Sequence, residues 1–148
     1  MARTVYGSGS ASINFKDVGV CSHGYTDASL SVSVDSSGTL KWKLKMTSDS
    51  NYPFVGLYLY IYNKVLYDGY YGTGDTCTVT CDSTTFPRGN TSASGSFSVG
   101  TATSIPITLK VGSGAKYDKG GSYSKSESKK ITRSKTTYYI VKFNANGG

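Results

Sequence analysis

The sequence is short of the side chains that do most acid–base and metal chemistry. It holds one histidine, His23, one glutamate, Glu127, and three cysteines, Cys21, Cys77 and Cys81. An odd cysteine count argues against a disulfide scaffold and leaves room for one bridge at most, from Cys21 to either of the others. With His23 the cysteines have the composition of a zinc set, but Thr76-Cys77-Thr78-Val79-Thr80-Cys81 has strand character. Positions i and i+4 of a strand lie about 13 Å apart, too far to share one tetrahedral metal. No metal and no other cofactor is expected. Long apolar runs are missing too, so no segment is expected to span a bilayer. Met1-Ala2-Arg3-Thr4 leads into no apolar core of a signal peptide. The chain is therefore expected to be made in a cytosol, or to begin after a removed signal. Apolar spacing of helical period is also absent.

What the sequence does have is tyrosine, 13 copies, together with 18 glycines and many serines and threonines. Tyrosine, threonine and valine suit a pleated, half-buried surface, and glycine and serine suit the turns between strands. Alternation is the dominant pattern. Leu30, Val32 and Val34 alternate with Ser29, Ser31 and Ser33, and Asp35-Ser36-Ser37-Gly38 follows as a hairpin connector. Leu40, Trp42, Leu44 and Met46 alternate with Lys41, Lys43 and Lys45, a period of two that excludes a helix. Val55, Leu57, Leu59 and Ile61 alternate with Tyr58, Tyr60 and Tyr62, and Asn63-Lys64 is expected to turn the chain into 65–71. Shorter strands are expected at 10–15, 77–81, 95–99 and 105–111. Pro106 suggests a strand end or an edge position.

This spacing of short strands predicts an all-β, two-sheet antiparallel β-sandwich, Ig-like or jelly-roll-like, over residues 1–111. Its inner faces are the three apolar sets above, with Trp42 at the centre. Residues 112–136 are rich in glycine, serine and lysine and read as a basic linker or long loop. The net charge of +7 falls unevenly: residues 1–109 hold seven basic residues and seven aspartates, while 110–148 hold nine basic residues against Asp118 and Glu127. Such a tail is either a solvated linker or a contact for an acidic polymer; nucleic acid is disfavoured, because no aromatics interleave the lysines of 125–135. Residues 137–148 are expected to form a strand and turn that open a following module, since a lone strand cannot bury its own face.

Tyr139-Ile140-Val141-Lys142-Phe143-Asn144-Ala145-Asn146-Gly147-Gly148 resembles the opening strand and turn of the internalin-type B repeat, a β-grasp module of surface, secreted and phage proteins of Gram-positive bacteria. Residues 28–34, 40–44 and 57–67 together resemble, at the level of pattern, β-sandwich modules of tail and baseplate proteins of phages of such bacteria. That resemblance implies a virion protein made in the host cytoplasm without a signal peptide. It implies partners among other virion or surface-assembly proteins, in an oligomeric setting.

Candidate chemistry is sparse. The carboxylates are Asp17, Asp27, Asp35, Asp49, Asp68, Asp75, Asp82, Asp118 and Glu127, mostly in turn-like settings. No nucleophile-elbow pattern surrounds a serine, and a Cys21–His23 pair lacks an orienting partner. Neither Gly72-Thr73-Gly74 nor Gly112-Ser113-Gly114 continues as a phosphate loop. No enzyme is expected and no catalytic residue is assigned. The candidate site is a face. If 39–47 pairs with 55–62 in one sheet, Lys41, Lys43 and Lys45 lie beside Tyr58, Tyr60 and Tyr62 as a flat patch of ammonium groups and rings. Such a patch suits a subunit interface, an aromatic platform for sugars, an anionic wall polymer, or plain solvent exposure. The expected function is a non-enzymatic virion structural or adaptor module acting by protein–protein packing. The alternative is a carbohydrate- or cell-wall-binding module of a tail protein, or of a bacterial surface or secreted adhesin.

Overall fold

The computed structural model describes residues 2–19, 25–48, 55–71, 79–81, 84–86, 91–112 and 125–139. Among them there is no helix, and twelve strands account for most of the chain: β1 (Ala2–Tyr6), β2 (Gly9–Gly19), β3 (Tyr25–Val34), β4 (Thr39–Ser48), β5 (Val55–Ile61), β6 (Lys64–Tyr71), β7 (Val79–Cys81), β8 (Thr84–Phe86), β9 (Thr91–Ser98), β10 (Ser104–Gly112), β11 (Lys125–Thr132) and β12 (Lys135–Tyr139). Two four-stranded antiparallel sheets carry the fold, with orders β2-β3-β4-β9 and β11-β10-β5-β6. The chain meanders through β2-β3-β4 and crosses to the second sheet as the β5–β6 hairpin. It returns as β9 beside β4, then crosses again as β10 beside β5.

The period-two alternation decides which side each residue takes. Leu30, Leu40, Leu44, Met46, Leu57, Leu59 and Ile61 are fully buried, and Val32, Val34 and Trp42 nearly so. Ile105, Ile107, Leu109 and Val111 complete the second inner face. Trp42 lies opposite Gly95 of β9, and a Cβ there would stand 2.7 Å from the indole Nε1. The indole thus occupies the space that a side chain on β9 would take.

One rim of the sandwich is closed by β11 lying along β2. Lys129 Nζ of β11 donates to the carbonyl of Ser12, 2.7 Å away, and a Cβ on Gly9 would meet Thr132 O at 2.6 Å. Residues 125–132 are therefore not linker, as their composition suggested. They pair with β10 in unbroken register from Ile105↔Ile131 to Val111↔Lys125. Their pattern misled because β11 is an edge strand. Only Ile131 is buried; of the other inward positions, Lys129, Glu127 and Lys125, the first two form a 3.7 Å ion pair. The terminal strand differs from expectation as well. β12 is not an orphan strand; it pairs with β1 from Ala2↔Tyr139 to Tyr6↔Lys135. Residues 140–148, which carry most of the internalin-like motif, lie outside the described residues.

Two local expectations shift. The β5–β6 turn is Tyr62-Asn63, one residue earlier than read from sequence, with φ of 42° and 64° and Ile61 facing Lys64. Positive φ at both central residues matches the twist of a two-residue hairpin, and asparagine tolerates it well. Pro106 sits in a central strand rather than at an edge. Its carbonyl accepts from Tyr62 N, 3.0 Å away, so its missing N–H would point the same way, past the end of β5 where no ladder partner is needed.

Candidate functional site

The expected patch of lysines and tyrosines does not exist as one face. β4 pairs with β3 and β9, whereas β5 pairs with β10 and β6. β4 and β5, consecutive in the chain, thus belong to different sheets and are not paired as a hairpin. Lys41, Lys43 and Lys45 therefore stand on the outside of one sheet, and Tyr58 and Tyr60 on the outside of the other. Tyr62 belongs to neither face: it occupies the β5–β6 turn and packs partly against the core.

The first outer face is a grid. Its cross-strand rows run Ser10–Ser33–Lys41–Ser96, Ser12–Ser31–Lys43–Ser94 and Asn14–Ser29–Lys45–Ser92. A column of three exposed lysines is thus flanked by serines. Ser29 Oγ donates to Asn14 Oδ1, 2.8 Å away. Alternate residues stand about 6.6 Å apart along a strand and neighbouring strands about 4.8 Å apart, so the bed is flat and short-chained except for the lysines. No ion pair among the described residues engages Lys41, Lys43 or Lys45. The acidic groups described on this side stand at its two ends: Asp27, which lines a hollow with Lys16 and Lys45, and Asp35 in the β3–β4 turn, whose carboxyl feels the charge of Lys41. Two shallow hollows mark the face, one of about 520 Å³ along Ser12, Ser31, Ser33, Lys41 and Lys43, and one of about 320 Å³ along Asn14, Lys16, Ser29 and Lys45.

The second outer face is aromatic and mixed in charge. Lys110 Nζ lies 5.0 Å from the Tyr58 ring centroid, and Asp68 pairs across from Tyr58. Partial burial, then the charge of Asp68, then Tyr60, hold the Tyr58 hydroxyl above its ordinary range, so it stays protonated. Tyr60 Oη accepts from Asn63 N at 3.2 Å, and Thr108 and Ser128 share a 2.7 Å hydroxyl contact.

At one pole a feature appears that the sequence reading did not single out. Arg133, between β11 and β12, is 6% exposed. Its guanidinium donates to the carbonyls of Ala102 (2.7 Å), Asp35 (3.1 Å) and Gly100, and stacks 4.9 Å over the Tyr6 ring. One side chain thus ties the β3–β4 turn, the β9–β10 connection and the start of the β1–β12 ribbon together. Ser-Lys-rich surroundings hid it; its only signal was an arginine directly after Ile131-Thr132. Beyond it the ribbon stands clear of the sandwich, with Tyr138 57% and Tyr139 75% exposed.

The remaining candidates do not converge. Asp27 and Asp68 lie on opposite sheets, Asp35 is engaged in its own turn, and Glu127 faces Lys129. No group of three histidine, cysteine, aspartate or glutamate side chains comes together among the described residues. Cys21, His23, Cys77, Asp49, Asp75, Asp82 and Asp118 lie outside the described residues, as do the side chains of Cys81 and Asp17. No family model, curated protein or solved structure matches the chain.

Proposed function

We propose that the chain is a non-enzymatic structural or adaptor module that works by packing against protein neighbours in a larger assembly. The observation that carries this reading is the β1–β12 ribbon. An isolated two-stranded ribbon gains little stability of its own, yet this one is anchored to the sandwich by Arg133 and Tyr6 and presents Tyr138 and Tyr139 to the outside. Tyrosine in that position suits a contact surface, because its ring is apolar and its hydroxyl remains hydrated. The likeness of the alternating strands to tail and baseplate modules supplies the setting: a virion, with the chain made in the host cytoplasm.

The test is made on purified particles from the source phage or cell-surface fraction. Quantitative mass spectrometry is expected to find the chain at fixed stoichiometry, and Tyr138→Ser with Tyr139→Ser to deplete it at least about tenfold, the loss of roughly 1.4 kcal/mol or more of contact. Absence of the chain from such assemblies, or full incorporation of the double variant, contradicts the proposal.

A further inference from the structure

We infer that the outer face of β2-β3-β4-β9 docks a linear phosphodiester polymer of polyol units, laid along β4 with successive phosphates on Lys41, Lys43 and Lys45. This inference is independent of the assembly role, which rests on the ribbon and not on this face.

Charge comes first. Three ammonium groups stand in line, none of them held in an ion pair among the described residues, with Asp35 within electrostatic reach of Lys41 at one end and Asp27 sharing a hollow with Lys16 and Lys45 at the other. Lys16, Lys41, Lys43 and Lys45 outnumber those two carboxylates, and a row of lysines in excess attracts a polyanion by releasing its condensed counter-ions. Spacing comes second. The row repeats at about 6.6 Å, close to the interval between phosphates joined through a short extended polyol. Shape comes third. The serines on either side keep the bed low, so a chain reaches the ammonium groups without displacing bulk, and the 520 Å³ hollow lies over β3 beside Lys41 and Lys43. Serine hydroxyls both donate and accept, which suits a hydroxylated backbone.

Composition then separates this ligand from nucleic acid. Single-stranded nucleic acid is gripped by aromatic side chains that stack on its bases. The three cross-strand rows around Lys41, Lys43 and Lys45 hold none: their other members are serines and Asn14, and Tyr58 and Tyr60 are on the opposite sheet.

The experiment titrates the intact chain with a synthetic glycerol-phosphate oligomer and, separately, with oligodeoxythymidylate of equal charge, by calorimetry at two salt concentrations. Three phosphate contacts predict a log–log salt slope of about −2, so a fourfold rise in salt weakens the glycerol-phosphate complex roughly 20-fold. Lys41→Gln, Lys43→Gln and Lys45→Gln together are expected to weaken it at least about tenfold, while Lys110→Gln with Lys130→Gln, on the other sheet, leaves it within about twofold. Ser94→Lys, which adds a cation to the middle row, is expected to tighten it severalfold, a gain that misfolding cannot imitate. The inference is overturned if the glycerol-phosphate oligomer fails to bind at low salt, if oligodeoxythymidylate binds as tightly, if the opposite-sheet variant loses as much, or if Ser94→Lys brings no gain.

Discussion

Gly95 and Asp35 show how much single positions decide here. Gly95 is glycine because the indole of Trp42 fills the place of its side chain, with Nε1, Cε2 and Cζ2 all within 3.0 Å of where a Cβ would sit. Trp42 is held by the core on its other side, so it cannot retreat freely. Gly95→Ala is expected to cost about 1–3 kcal/mol, in the range of overpacked cores, read as a lower urea midpoint at unchanged slope. Asp35 works through hydrogen bonds instead. Its Oδ1 accepts from Ser37 N (2.9 Å), Ser37 Oγ (2.6 Å) and Thr39 N (3.0 Å). These bonds, led by the Ser37 hydroxyl, hold its carboxyl below the ordinary value of 3.8. A carboxyl with a depressed folded pKa contributes stability above its unfolded pKa and loses it as pH falls through the folded value. Asp35→Ala is therefore expected to be less stable than wild type at neutral pH, and the gap should close as pH drops below 3.8. Thermal melts at neutral and acid pH check this; a gap that persists unchanged into acid means the carboxylate charge is not what the turn uses.

Among the elements, β11 and the ribbon depend on each other through Arg133. The guanidinium satisfies three carbonyls from two connections and covers Tyr6, so its loss leaves those acceptors to water at a crowded pole. Arg133→Met is expected to destabilise the chain by about 2–4 kcal/mol, from charge-assisted bonds lost and acceptors exposed. It should also speed amide exchange in β1 and β12 more than in β4, which hydrogen exchange measures directly. Equal protection in the ribbon of the variant and wild type contradicts the anchoring role. The legibility of the elements follows the same logic. β3, β4 and β5 were plain in the sequence because central strands bury one face completely and alternate cleanly. β11 and β12 were not, because an edge strand and a free-standing ribbon bury almost nothing, and their lysines and serines look like linker.

For the molecule as a whole, strand pairing governs where chemistry collects. Alternation revealed that Lys41, Lys43 and Lys45 share one face and that Tyr58 and Tyr60 share another. It carried no information on whether β4 and β5 are neighbours, since a hairpin and a crossover leave the same pattern in each strand. This arrangement yields two outer faces of different character: a serine bed with a cationic column, and an aromatic face of mixed charge. With the ribbon this gives three surfaces of different chemistry on one chain. Nuclear Overhauser spectra of the intact, unmodified chain test that arrangement most directly. Backbone contacts are predicted between Lys43 and Ser94 and between Tyr60 and Thr108, the cross-strand partners in the two sheets. Backbone contacts between residues 41–45 and 58–62 would return the lysines and tyrosines to a single face and contradict the account.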